Sequence, residues 1–287
     1  MAESFAHKWG QVIGNLFQAS LREVLQEAAD RHGLYLDYQR ERAARPGKRV
    51  TWQDRNGNLH DLDYVLERGG TEAVRGLPAA FIETAWRRYT KHSRNKAQEI
   101  QGAVLALAET YSHLRPFLGI VLAGVFTEGS LHQLRSCGFT VAYFPYDTIV
   151  RAFAVVGIDA AFGEQTEEKE FRRKIRQFQG LSRKQVARIK KSLVNPDKPP
   201  MSEFLAALHA SLARGVQGIT VAVLHGQPRP MATVAEAIVY IQGYEETKGC
   251  VAPVLKYEIR VRYNTGDVID AIFQEKPDAI RFLQTFA

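Results

Sequence analysis

The sequence predicts an α/β protein with a mixed central sheet flanked by helices, followed by a C-terminal α+β region. Three observations carry this. Residues 3–32 hold Phe5, Trp9, Ile13, Phe17, Leu21 and Val24 at helical spacing. Between 49 and 156, short strand-like runs alternate with helical patterns. Beyond Pro196, Pro199 and Pro200 the alternation resumes in shorter pieces.

Taken in order, residues 36–48 are polar and arginine-rich and read as a loop. Residues 49–53 and 59–66 then flank Asn56-Gly57, and Asn-Gly between two strand-like runs is a strong hairpin signal. Gly69-Gly70 ends the second strand, and 78–86 reads as a third. Ser93 is placed to cap a helix running to about Tyr111. The apolar run 117–125 reads as a buried strand, 131–137 as a short helix and 139–144 as another buried strand, followed by a helix over 146–156. The order is helix, three meandering strands, helix, strand, helix, strand, helix. This defines a core over 1–160.

Residues 161–198 form a basic helical segment, with Arg183, Lys184 and Arg188 in a stretch that Ser182 could cap. It reads either as a solvated charged helix or as a DNA clamp or groove helix. The region 199–287 holds helices over 202–213, 232–242 and 276–286, and strands that include a pair joined at Asn264-Thr265-Gly266. It would serve recognition or dimerisation.

Composition narrows the partners. With 287 residues, 45% of them hydrophobic, the chain can bury a sizeable core. A net charge of +7 favours polyanions, because neutralising phosphates drives sequence-independent affinity. No apolar run approaches the roughly 20 residues a membrane helix needs, and no secretory signal is visible at the N-terminus. Cys137 and Cys250 offer neither a disulfide framework nor metal spacing, which points to a reducing, cytoplasmic setting. The histidines form no ligand cluster, AGVFTEGS lacks the Lys of a nucleotide-binding loop, and there is no Gly-x-Ser-x-Gly elbow.

The chemistry is carried by two carboxylates. Asp63 lies in the second strand, LHDLDYVLER, where alternation puts Asp61 and Asp63 on one face. Glu83 lies in the third, flanked by Phe81, Ile82 and Trp86, and a charge there is costly to bury unless paired or metal-bound. Neighbouring strands would bring the two within reach of one Mg2+, which prefers carboxylate oxygen, keeps waters and also binds phosphate. The alternative is that Asp63 is an edge-strand charge, with Glu67 merely solvated.

A hairpin with Asp in its second strand, Glu in a third strand, a basic segment and an amphipathic helix resembles the core of the PD-(D/E)XK nuclease superfamily. FLGIVLAGVF, a short helix and FTVAYFPYDTIVRAF resemble the way restriction endonucleases complete that sheet. The resemblance covers roughly residues 45–157. It implies a restriction-endonuclease-like fold and a Mg2+-dependent DNA endonuclease of type II restriction character. Such an enzyme would cut double-stranded DNA as a homodimer, with Asp63 and Glu83 as catalytic metal ligands. A repair or junction-resolving nuclease, or a DNA-binding protein that kept the fold without catalysis, are the alternatives. The sequence departs from the pattern at Ala85, where the superfamily has Lys. Lys96 is the best substitute, on one face with Ile100 and taken as lying in the first turn of the next helix, ahead of Lys91 and Arg87. Gln98 and Gln101 could support the attacking water from that helix. Arg87, Arg88, Lys91 and Arg94 are expected to contact phosphate.

Overall fold

The computed structural model describes residues 4–223, 226–245, 256–264 and 266–286, apart from the side chains of 91–94. The chain divides into two compact units, 1–212 and 213–287.

In the first unit, α1 (Phe5–Arg31) starts at Ser4, whose hydroxyl accepts from His7 N at 3.2 Å. It buries Trp9, Ile13, Phe17, Leu21 and Leu25 along one stripe. β1 (Tyr35–Tyr38) follows, then the hairpin β2 (Val50–Gln53) and β3 (Leu59–Leu62). Next come β4 (Tyr64–Arg68), β5 (Leu77–Arg87), α2 (Thr90–Thr110), β6 (Phe117–Gly124), α3 (Glu128–Ser136), β7 (Thr140–Pro145) and α4 (Tyr146–Ala154). The unit closes with α5 (Glu168–Gln179), α6 (Arg183–Leu193) and α7 (Met201–Leu212).

The main sheet runs β1-β4-β5-β6-β7. β5 is the hinge of its topology, antiparallel to β4 and parallel to β6, which makes the sheet mixed. Its side chains alternate between two cores. Ala80 and Ile82 pack in the cluster that also holds the buried stripe of α1, while Phe81 and Ala85 pack against Ile100, Val104 and Leu107 of α2. α1, α4, α5, α6 and α7 contribute to the first layer, α2 and α3 to the second. At the tip of β6, Gly124 adopts φ 102°, and a Cβ there would stand 2.0 Å from the Arg87 carbonyl oxygen. Only glycine lets the ends of β5 and β6 approach this closely.

Four sequence expectations change. Residues 35–38 form a strand, β1, registered on β4 from Tyr35↔Glu67 to Tyr38↔Tyr64. The Asn-Gly hairpin forms as expected, but as a separate two-stranded ribbon whose Trp52 packs edge-on to Phe81 at 5.8 Å. The helix after β5 begins at Thr90 with Tyr89 in the N-cap position, so it starts ahead of Ser93. The basic stretch is no appendage to the first core. Phe171, Ile189 and Leu193 are buried in the α1-side cluster, and α7 beyond the prolines joins it through Phe204 and Leu208. An amphipathic basic helix can bury one apolar stripe while its charges stay wet, which composition alone does not distinguish from a solvated helix.

The arginine-rich segment 39–48 holds the largest surprise. Arg42 donates to both oxygens of Glu67 at 2.7 and 2.9 Å and reaches Asp37 at 2.8 Å, while Arg45 binds Asp37 at 3.0 and 3.1 Å. The side chains of Asp37, Arg42 and Glu67 have no exposure, so Glu67 is buried and paired rather than solvated. Gly76 N adds a 2.8 Å bond to Glu67. Two acids and two arginines balance, which is the condition for holding such charges out of water.

The second unit is an antiparallel sheet of order β11-β10-β8-β9, with β8 (Val216–Val223), β9 (Arg229–Met231), β10 (Tyr257–Tyr263) and β11 (Val268–Phe273). α8 (Val234–Gly243) and α9 (Lys276–Gln284) supply Val234, Ala237, Ile241, Ala279 and Leu283 to its core against Ile219, Val221, Ile259 and Val261. This is an α+β arrangement. Among the described residues, no helix of the chain is long and apolar enough to cross a membrane.

Removing one partner from the buried charge cluster should be severe. Arg42→Ala is expected to lower unfolding free energy by about 3–5 kcal/mol in urea titrations, since it leaves the buried Glu67 carboxylate without a cation while Asp37 keeps only Arg45. Arg40→Ala, whose pair with Glu72 is partly in solvent, should cost about 1 kcal/mol or less.

A candidate active site at the end of the β4–β5 ladder

The site forms where β4 and β5 part. The chain bends at Asp63, between β3 and β4, so Asp63 stands at a strand end rather than inside one. Asp61 belongs to the hairpin instead, where it accepts from Thr51 Oγ1 at 2.6 Å and Arg49 Nη1 at 2.8 Å. The two aspartates therefore share no face. The register Tyr64↔Ile82 leaves Asp63 beside Glu83 and Thr84 at the point where the ladder stops. There the Asp63 carboxylate replaces the missing ladder carbonyl. Its Oδ2 accepts from Thr84 N at 2.8 Å and Thr84 Oγ1 at 2.7 Å. In return, Asp63 N donates to Glu83 Oε1 at 2.9 Å.

This clasp leaves Asp63 Oδ1 and Glu83 Oε2 without a hydrogen-bond partner among the described residues. Gln18 of α1 extends the arrangement by donating to Thr84 Oγ1 at 3.3 Å. Gln18 is thus a positioning residue for Asp63. Sequence reasoning missed both Gln18 and Thr84. The available signal was a polar Gln next to the buried Phe17, on the edge of the apolar stripe of α1.

Glu83 is 6% exposed. Burial, reinforced by the neighbouring Asp63 charge, pushes its carboxyl up to about 8, against the lowering effects of the Asp63 backbone N–H and of Lys96. Lys96 lines the same cavity as Asp63. It sits in the second turn of α2 rather than the first, because the helix starts at Thr90. Its ammonium is held by Glu99 Oε1 at 2.7 Å, a partner sequence reasoning missed. Gln101 is engaged elsewhere, accepting from Gln133 of α3 at 2.8 Å.

The other expected contacts divide. Arg87 is half-buried, donates to the Trp86 carbonyl at 2.8 Å and lines a cavity of about 570 Å³ together with Asp63, Thr84 and Lys96. Arg88 is committed to the fold, which removes it as a ready phosphate contact. Its guanidinium donates twice to the Phe162 carbonyl, at 2.8 and 2.6 Å, and lies 4.0 Å from the centre of the Tyr146 ring. The side chains of Lys91 and Arg94 fall outside the described residues. Arg183 and Lys184 are exposed at the start of α6, and Arg188 is exposed but donates to the Val155 carbonyl at 2.9 Å.

The donor set suits a hard divalent cation. Two carboxylates each keep one oxygen unused by the protein, and a cation would favour the ionised form that burial disfavours in Glu83. Among the described residues no three His, Cys, Asp or Glu side chains cluster as a metal site, so waters or a phosphate would complete the shell. That suits Mg2+ better than zinc.

No family model matches the chain, and no curated protein matches it either. A crystal structure described as a protein of unknown function, AF1548, is similar over 62% of this chain and 98% of its own, with 15% identity and a TM-score of 0.28. A likeness at that level transfers neither fold nor activity.

The raised Glu83 carboxyl has a measurable consequence. It binds its proton more tightly in the folded chain than in the unfolded one, so its stabilising contribution is full below about pH 4.5 and is lost as pH rises to about 8. In EDTA, urea titrations should show parent stability falling between pH 5 and 8, by on the order of 5 kcal/mol at most if this group acted alone. Glu83→Gln should flatten that fall. An equally steep fall in the variant would assign the pH dependence to other groups.

Proposed function

We propose that this chain is a Mg2+-dependent DNA endonuclease of the PD-(D/E)XK type, with a restriction-endonuclease-like first unit. The observation that carries this reading is the clasp of Asp63 and Glu83 at the end of two neighbouring strands, with Lys96 beside it. Asp63 and Glu83 would hold the cation through their unused oxygens. When bound, Mg2+ supplies polarisation of the phosphate and a more acidic water. Thr84 and Gln18 fix the Asp63 carboxylate, so its oxygen is presented without reorganisation. Lys96 supplies the cation that the motif position, Ala85, cannot. Released from Glu99, its ammonium could offset charge on the phosphate or orient the attacking water. Water adds to phosphorus, the P–O bond to the leaving sugar oxygen breaks, and that oxygen takes up a proton.

Double-stranded DNA is the substrate favoured by the +7 charge and by the exposed Arg183 and Lys184. Cutting both strands of a palindromic site would engage a homodimer, one active site per strand. Restriction character predicts discrete fragments from a mixed-sequence plasmid, whereas a repair or junction-resolving enzyme would prefer flaps or branched substrates.

Asp63→Ala is expected to abolish Mg2+-dependent plasmid cleavage while duplex binding in Ca2+ persists. Lys96→Ala should slow cleavage by roughly 100-fold or more, the range for one acid–base or electrostatic group, with binding changed far less. Parent protein that binds duplex but cuts nothing with Mg2+ or Mn2+ would instead identify a DNA-binding protein that has lost catalysis.

Replacing Arg183 and Lys184 by Glu should weaken binding to all sequences alike. Each lost phosphate contact lowers the slope of log K against log salt by about 0.9. An unchanged slope in fluorescence anisotropy titrations would make the start of α6 a solvated surface only.

A further inference from the structure

The polar side of α1 has no part in the reading above beyond Gln18. His7, Gln11, Asn15, Gln18 and Arg22 follow one another along the helix at spacings of three or four residues, which keeps them on one side. Two cavities lie against this stripe. The larger, about 570 Å³, extends along α1 from His7 to Gln18 and is bounded opposite by Asp63, Thr84, Arg87 and Lys96. The smaller, about 190 Å³, lies beyond Asp63 and is bounded by Arg22, Tyr38 and Gln39. Asn15, Gln18 and Asp63 line both, so the two cavities adjoin along α1 at Asp63 and are treated together as a trough.

The dimensions and chemistry of this trough select its occupant. From His7 to Arg22 the helix rises about 22 Å. That accommodates about six nucleotides at the roughly 3.4 Å axial repeat of a duplex strand. In the middle, Gly10 and Gly14 present no side chain, and the Trp86 ring forms the floor 3.6 Å from where a Gly14 Cβ would stand. Cations flank the path: Arg22, 5.0 Å from the Tyr38 ring, lines the smaller cavity, and Arg87 and Lys96 line the larger one. Amides line the stretch between them. Cations suit phosphates, while an uncharged amide can both donate and accept and so suits base edges and sugar. Asn15 is exposed and, among the described residues, its side chain makes no hydrogen bond.

We propose that the trough along α1 seats one strand of nucleic acid, with Arg22 and Arg87 on flanking phosphates, the Asn15 amide on a base or sugar, and the scissile phosphate at Asp63. This deepens the nuclease reading and rests on it. It assigns substrate recognition to the first helix, in addition to the basic segments.

The test is binding without turnover, on the full chain in Ca2+. A fluorescein-labelled 24-nucleotide DNA is used as single strand and as duplex, across a salt series, with Mg2+ cleavage measured alongside. Asn15→Leu should lower affinity about tenfold while leaving the salt slope unchanged, since an amide contact releases no counterion. Arg22→Ala should lower both affinity and slope, by about 0.7 on single strand or 0.9 on duplex. Thermal melting of both variants should match the parent, because both positions are exposed. Loss on the single strand alone identifies an unpaired strand as the occupant, and loss on both forms identifies one strand of a duplex. Parent-like affinity in both variants, from a parent that binds and cuts DNA, would overturn the trough and leave the nuclease reading intact. A parent that binds neither form would sink both.

Discussion

A side chain stands in for a backbone carbonyl where β4 and β5 diverge, and the candidate site depends on that substitution. Were the ladder to continue, Thr84 N would be spent on a neighbouring strand and Asp63 would point wherever strand alternation sent it. Because the chain bends at Asp63, the carboxylate is drawn to the orphaned Thr84 N–H, and Asp63 N is freed to meet Glu83. The same break in regular structure that satisfies two backbone groups thus gathers two acids. The position of β5 between an antiparallel and a parallel neighbour holds the break at the sheet's end.

Much of this was legible in the sequence. Glu83 announced itself by its company, since an ionisable group among Phe81, Ile82 and Trp86 needs a reason. The buried strand β6 and the long α1 were visible as an apolar run and periodicity, whereas β7, also read as buried, lies at the sheet edge with only Ala142 and Phe144 buried. Asp63 was found for a partly mistaken reason, because the period-two pattern ran through a bend that no residue type marks. Lys96 was placed correctly at the cavity that Asp63 lines but in the wrong turn, since Thr90 extends the helix upstream of the cap that Ser93 suggested. Glu67, Asp37, Arg42 and Arg45 were illegible for a deeper reason. Each charge alone reads as solvated, and only the fold brings them together across 30 residues of chain to cancel. Arg88 failed similarly. Its membership in a basic run said phosphate, while its cation–π stack on Tyr146 is a tertiary event.

The packing of α5 and α6 on the α1 side alters what the basic segment can be. With Phe171, Ile189 and Leu193 in the common core, these helices are fixed parts of the first unit and cannot swing as an independent arm. Lys190 is tied to Glu23 of α1 at 2.6 Å. Their exposed cations therefore form a surface in a set relation to α1. On the proposed reading, any polyanion they attract arrives in register with the helix that lines the trough.

The buried chain of pairs from Glu67 through Arg42 and Asp37 to Arg45 carries a practical corollary. Screening by dissolved ions acts on charges that water reaches, over distances of about 10 Å at 0.1 M, and leaves buried, mutually neutral pairs almost untouched. The protein therefore has two electrostatic populations, one that responds to dissolved salt and one that hardly does. Concentrated salt would silence the wet cations of α6 while the inner quartet goes on fastening β1, β4 and the loop after β4 to one another. A preparation could be stripped of adhering polyanions by brine alone, with no loosening of the scaffold beneath.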